Sequence, residues 1–147
     1  MTFTEAQLVA WGERLGASAA TPLFVALRGD LGAGKSVLAR AIARGAGVNA
    51  IMPSPTFNLV FRYTGSAGRE IVHMDLYRIE KPADVWALGW GDLGSENELA
   101  LVEWPERAER LLPPDRWEIS LDAASSGLRR VTAAPLGTAP DLPAVSA

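Results

Sequence analysis

The 147-residue chain is 48% apolar and 21% charged with a formal net charge of −3; this excludes a disordered chain, argues against a general nucleic-acid-binding surface, and gives room for one domain with a substantial core. With no cysteine and a single histidine, disulfides, thiolate metal sites and His-cluster metal sites are excluded. No apolar run approaches the ~20 residues that span a bilayer, and Met1–Glu5 carries neither a basic nor an apolar leader, so a cytoplasmic location is expected.

Thr4 and Gln7 form a capping-box pattern, and Leu8, Trp11 and Leu15 share one helical face, which predicts a first helix from about Glu5 to Leu15 with Gly16 as its stop. The apolar run Leu23–Leu27 reads as a buried parallel strand. Gly29-Asp30-Leu31-Gly32-Ala33-Gly34-Lys35-Ser36 then matches the phosphate-loop pattern G-x-x-x-x-G-K-[ST], and Val37–Arg44 follows with helical spacing toward Gly45 and Gly47. Strand, glycine loop and helix in that order let backbone N–H groups converge on phosphate at a helix N-terminus. Gly29, Leu31, Gly32, Ala33, Gly34, Lys35, Ser36 and Val37 are therefore the candidate nucleotide contacts, Lys35 reaching the β- and γ-phosphates and Ser36 a bound Mg²⁺. A dinucleotide fingerprint fails, because its third glycine would fall on Val37.

Phe57–Tyr63 alternates and is followed, after Gly65-Ser66-Ala67-Gly68, by Glu70–Asp75, which reads as an antiparallel hairpin. A short helix is expected from Pro82 to Leu88, a buried strand at Leu99–Val102, and another helix from Glu106 to Leu112 after Pro105. Trp117–Leu121 and Arg129–Ala133 read as edge strands, and the residues from Pro135 onward as a flexible tail. These elements predict a three-layer α/β domain of the P-loop NTPase type over residues 1–134, with a mixed, mainly parallel sheet and a tail over 135–147.

A phosphate loop needs carboxylates to complete a Mg²⁺ site, and Asp75 and Glu103 each end an apolar run. Either binds metal or positions water, or else caps its strand end; spacing does not assign which touches the ion. Thr56, in Ser54-Pro55-Thr56 between the nucleotide helix and the hairpin, either senses the γ-phosphate or caps a proline turn. His73, alternating with Ile71 and Asp75, reads first as a satisfied structural group, and Arg78 as a partner of phosphate or of Asp75. Trp104 stacks on a base or a partner, or simply packs.

Taken together, Gly-Asp-Leu-Gly-Ala-Gly-Lys-Ser (29–36), Ser-Pro-Thr-Phe (54–57), His-Met-Asp-Leu-Tyr-Arg (73–78) and Glu-Trp-Pro-Glu (103–106) resemble, over roughly residues 4 to 122, the TsaE family, also called YjeE. The resemblance implies an ATPase that works with TsaB and TsaD in forming threonylcarbamoyladenosine beside the tRNA anticodon, TsaD doing the transfer and tRNA being met only indirectly. It also implies that Lys35 and Ser36 hold phosphate and Mg²⁺, Thr56 lies in a switch-like segment, Asp75 belongs to the acidic centre, Glu103 to the metal site, and Trp104 lies near the nucleotide. Ser36, Val37 and Met74 depart from residues common in the family without removing a required functional group.

A nucleotide kinase would need an acceptor pocket and usually an arginine-rich lid, for which no segment stands out. A GTPase would need Asn-Lys-x-Asp, yet Asn49, Asn58 and Asn97 are each followed by something else. ATP is favoured over GTP. With no acceptor site and no basic run, the output expected of hydrolysis is conformational: slow turnover alone, and faster turnover with partners.

Overall fold

The computed structural model of the chain describes residues 1–50 and 59–146. Thr4 caps the first helix, α1 (Glu5–Ser18), its Oγ1 accepting from Gln7 N at 3.2 Å while Gln7 Oε1 accepts from Thr4 N at 2.9 Å. Leu8, Trp11 and Leu15 are buried as their shared face requires. Gly16 does not stop the helix. A Cβ there would lie 1.9 Å from the carbonyl oxygen of Ile42 in α2 (Lys35–Gly45), so glycine is the residue that lets the two helices touch backbone to backbone.

One seven-stranded sheet organises the rest, built from β1 (Thr2–Phe3), β2 (Leu23–Arg28), β3 (Val60–Thr64), β4 (Glu70–Asp75), β5 (Glu98–Glu103), β6 (Arg116–Ala123) and β7 (Arg129–Leu136). Its order is β1-β7-β6-β2-β5-β4-β3. The central strands β6, β2, β5 and β4 run parallel, and antiparallel pairs close both sides, β3 on β4 at one and β7 on β6 and on β1 at the other. The expected hairpin is therefore present, as β3 and β4. Strands buried on both faces read as continuous apolar runs, and β2 and β5 do so.

Alternate residues sort into two cores. Val25, Leu27, Ile71, Leu99, Leu101, Ile119 and Leu121 face α1 and α2. Phe24, Ala26, Val72, Met74, Ala100 and Val102 face a layer containing Val85, Trp90 and Ala108. Among the described residues that second layer carries no α-helix: the segments expected as short helices are 3₁₀ turns, Pro82–Leu88 and Pro105–Leu111, the latter broken at Ala108 with φ −135°. Runs this short close i→i+3 bonds more readily than they propagate an α-helix.

Two further sequence expectations are corrected. Neither Trp117–Leu121 nor Arg129–Ala133 is an edge strand, because β6 lies between β2 and β7, and β7 between β6 and the two-residue β1, which takes the edge. The alternation of β6 marks two unlike faces: Trp117, Ile119 and Leu121 face the helices, while Glu118, on the other face, accepts from Arg28 Nε at 2.5 Å and Arg116 Nε at 2.9 Å. Burial opposes ionisation of Glu118, but these two guanidinium groups outweigh it and hold the carboxyl below its usual range. The segment from Pro135, expected as a flexible tail, is docked on the domain. It completes β7 to Leu136, accepts a 2.7 Å hydrogen bond from Trp117 Nε1 at the Pro140 carbonyl, and buries Leu142 to 1% exposure before a last turn, α3 (Pro143–Ser146), against α1. One anchoring leucine without periodicity leaves no signal for a pattern reading. Among the described residues no helix is long and apolar enough to cross a membrane.

Candidate functional site

The carboxyl ends of the parallel strands carry the site. β2 delivers the chain to the Gly29–Ser36 loop, and Gly34, the residue before α2, has φ 109°, a left-handed conformation that a side chain would strain. Ala33 is buried and donates its N–H to the Asp30 carbonyl at 3.0 Å, whereas Leu31 stands at the loop tip, 74% exposed. Lys35 begins α2 and is only 4% exposed. Its ammonium donates to the carbonyls of Gly29 and, at 2.9 Å, of Asp30, and lies 4.3 Å from the centre of the Trp104 ring. Burial lowers the Lys35 pKa, against the opposing pull of Glu103, Glu106, Asp75 and Asp30.

Ser36 follows and donates its hydroxyl to both carboxylate oxygens of Glu103, at 2.9 Å each. Glu103 ends β5 in register with Asp75 at the end of β4, so the two carboxylates flank the start of α2. The Glu103 Oε2 also lies 2.6 Å from His73 Nε2, an acceptor for that N–H, with both side chains buried. Asp75 Oδ1 accepts from Tyr77 N at 3.0 Å and thereby shapes the turn after β4. Burial raises the Asp75 pKa, and the neighbouring Glu103 charge adds to the rise. Trp104 takes φ 56°, placing its ring 4.9 Å from Tyr77, with Arg107 over both rings.

These groups border a cleft of about 450 Å³ lined by Leu31, Gly32, Gly34, Lys35, Ser36, Val37, Asp75, Arg78, Glu103 and Trp104. Thr56, with the rest of Ser54–Phe57, lies outside the described residues. Sequence reading missed five wall residues: Glu5 and Leu8 of α1, Leu59 before β3, Tyr77 after β4 and Arg129 of β7. The capping box located the start of α1 but nothing in it placed that start beside the loop, and Arg129 arrives through the antiparallel side of the sheet. Met74, one of the departures from the family pattern, is fully buried on the opposite face of β4, away from the cleft.

Among the described residues no cluster of three or more His, Cys, Asp or Glu could by itself cage a metal. Ser36 Oγ and the Glu103 carboxylate are nevertheless adjacent hard-oxygen donors, with Asp75 on the neighbouring strand. That set fits Mg²⁺, which takes one or two protein oxygens and fills its remaining positions with phosphate and water.

The family model for "Threonylcarbamoyl adenosine biosynthesis protein TsaE" matches residues 2–131. The chain is 37% identical over 100 residues to the tRNA threonylcarbamoyladenosine biosynthesis protein TsaE of Haemophilus influenzae, a match spanning 68% of this chain but 63% of that protein. It is 32% identical to the protein of the same name from Treponema pallidum, over 84% of this chain and 90% of that one. The crystal structure of Bacillus subtilis YdiB superposes with a TM-score of 0.74 at 26% identity, covering 93% of this chain and 86% of YdiB. On the family match and these identities, the chain belongs to the TsaE family of tRNA threonylcarbamoyladenosine biosynthesis.

Proposed function

We propose that the chain is a Mg²⁺-dependent ATPase that serves threonylcarbamoyl modification of tRNA in company with TsaB and TsaD, and is not itself the transferase. The observation that carries this reading is the convergence of Lys35, Ser36 and Glu103 at the glycine loop, with Ser36 Oγ 2.9 Å from Glu103. The backbone N–H groups from Gly32 to Ser36 orient the phosphates at the start of α2. Lys35 exchanges the carbonyls of Gly29 and Asp30 for phosphate oxygens, a charge-assisted contact. Ser36 and Glu103 hold Mg²⁺, which when bound draws charge off the phosphoryl group. Asp75 and Glu103 orient the attacking water, and Trp104 with Tyr77 walls the cleft. Thr56 belongs to a segment that responds to the γ-phosphate.

With no acceptor site recognisable in the sequence, the energy of hydrolysis is spent on conformation and on partner affinity, in the cytoplasm where tRNA is modified. Calorimetric titration of the TsaB–TsaD complex into the protein loaded with a non-hydrolysable ATP analogue, and again with ADP, tests this. The reading expects different affinities, with nucleotide affinity altered by the same factor when the partner is bound. Equal affinities, with turnover indifferent to the partners, contradict it.

A further inference from the structure

We propose that His73 is a positioning residue for Glu103, fixing the plane of its carboxylate so that one oxygen is tied back and the other faces the nucleotide site; this rests on the Mg²⁺–ATP reading above. His73 sits in the sheet between Phe61 of β3 and Leu101 of β5, and Ile71, Leu99 and Leu101 on the same face are wholly buried. Its side chain is itself only 3% exposed. Packing alone would be served there by another aliphatic side chain, and a buried ring nitrogen left unpaired destabilises the fold. The partner that removes the cost is Glu103, whose Oε2 accepts from Nε2 at 2.6 Å.

What Glu103 gains is orientation. The last torsion of a glutamate is broad and roughly two-fold, so a carboxylate held by Ser36 alone can turn its plane over a wide range. Ser36 Oγ is equidistant from both, at 2.9 Å, and does not distinguish them. His73 does, because it reaches Oε2 alone. Oε2 is thereby tied back toward β4, and Oε1 remains beside the Ser36 hydroxyl as the oxygen presented to a cation or to its water.

The test compares His73→Gln, whose amide nitrogen falls near the place of Nε2, with His73→Met, which fills the space without a donor. Affinity for a fluorescent ATP analogue is measured with and without Mg²⁺, together with kcat and KM for ATP. Loss of an orienting partner behind a metal ligand typically costs about 10–100-fold, so the Met variant is expected to lose that much of the Mg²⁺-dependent gain in affinity and of kcat, with Mg²⁺-free affinity unchanged and the Gln variant within about threefold of wild type. A Met variant with wild-type Mg²⁺ dependence, or a Gln variant as impaired as Met, overturns the proposal and leaves His73 a packing residue. Should the Met variant not fold, His73→Asn replaces it, since its shorter amide does not reach Oε2; Asn and Gln behaving alike would equally overturn it. Wild-type protein that binds no nucleotide would instead overturn the ATPase reading, and this role with it.

Discussion

On the helix side of β4, Ile71, His73 and Asp75 pass from apolar to polar toward the strand's carboxyl end, whereas on the other side Val72, Met74 and Leu76 stay apolar throughout. β5 repeats the contrast toward its carboxyl end, with Leu99, Leu101 and Glu103 against Ala100 and Val102, while the buried Glu98 at its start accepts from Gly94 N at 2.8 Å. A buried polar group survives only where something satisfies it. Glu103 is satisfied by Ser36 and His73, and Asp75 by the Tyr77 N–H, while the opposite face offers 3₁₀ turns that present Val85, Trp90 and Ala108. The strands are therefore two-sided in purpose: one face holds the fold together, and the other gives up apolar packing at one end to hold a site.

The contrast breaks first if the two faces respond alike to mutation. Met74→Ala removes a fully buried side chain from the apolar face and is expected to lower unfolding free energy by about 2–5 kcal/mol, with nucleotide affinity of the folded fraction unchanged. Urea unfolding and a nucleotide titration measure both quantities. Lys35→Ala acts on the other side. Charge-assisted bonds to phosphate contribute about 1.5–3 kcal/mol, so ATP affinity should fall by about 10–100-fold or more while circular dichroism stays that of the wild type. Stability should hold or rise, because the variant no longer buries an ammonium whose charged form the fold disfavours. Unchanged circular dichroism together with an unchanged titration would remove Lys35 from the site.

Glu103→Gln sharpens the comparison further, since it keeps the shape of the side chain and removes its charge. Turnover should drop by about tenfold or more together with the Mg²⁺-dependent gain in affinity, while Mg²⁺-free nucleotide binding is far less affected, as loss of charge at a metal site weakens stabilisation of the reacting phosphate. Wild-type turnover would make Glu103 a structural group.

The smallest expected effect concerns Asp75. Its carboxyl titrates higher in the folded chain than in the unfolded one, chiefly through burial. Its contribution to stability is thus complete below the unfolded pKa of about 4 and is lost as pH rises through the higher folded value. Asp75→Asn keeps the oxygen that accepts from Tyr77 and removes this dependence. The variant should gain stability relative to wild type as pH rises from 4 to 7, measured by urea unfolding across that range. A difference that does not change with pH would mean that Asp75 is as well solvated folded as unfolded.

The loop and its flanking strand and helix were legible because the pattern from Gly29 to Ser36 encodes its own geometry, and Glu103 and Asp75 because each ends an apolar run. His73 was visible but not its role, for the bond to Glu103 crosses between strands whose register the sequence does not state. The place of β6 escaped for the same reason: alternation reports that one face is buried, not which strands lie on either side. Gly16 was misread because a glycine that ends a helix and a glycine that admits a neighbouring helix look identical in sequence. Glu5, Leu8 and Arg129 reach the cleft from both ends of the described chain, a proximity that only the closed fold creates.

The most direct test of the central claim, that the polar end of this sheet face is a Mg²⁺–ATP site, is calorimetric titration of the wild-type protein with ATP and with GTP, each with and without Mg²⁺. The account predicts one ATP per chain, tighter with Mg²⁺ than without, and weaker binding of GTP. No binding of ATP, or binding indifferent to both Mg²⁺ and the base, would contradict it.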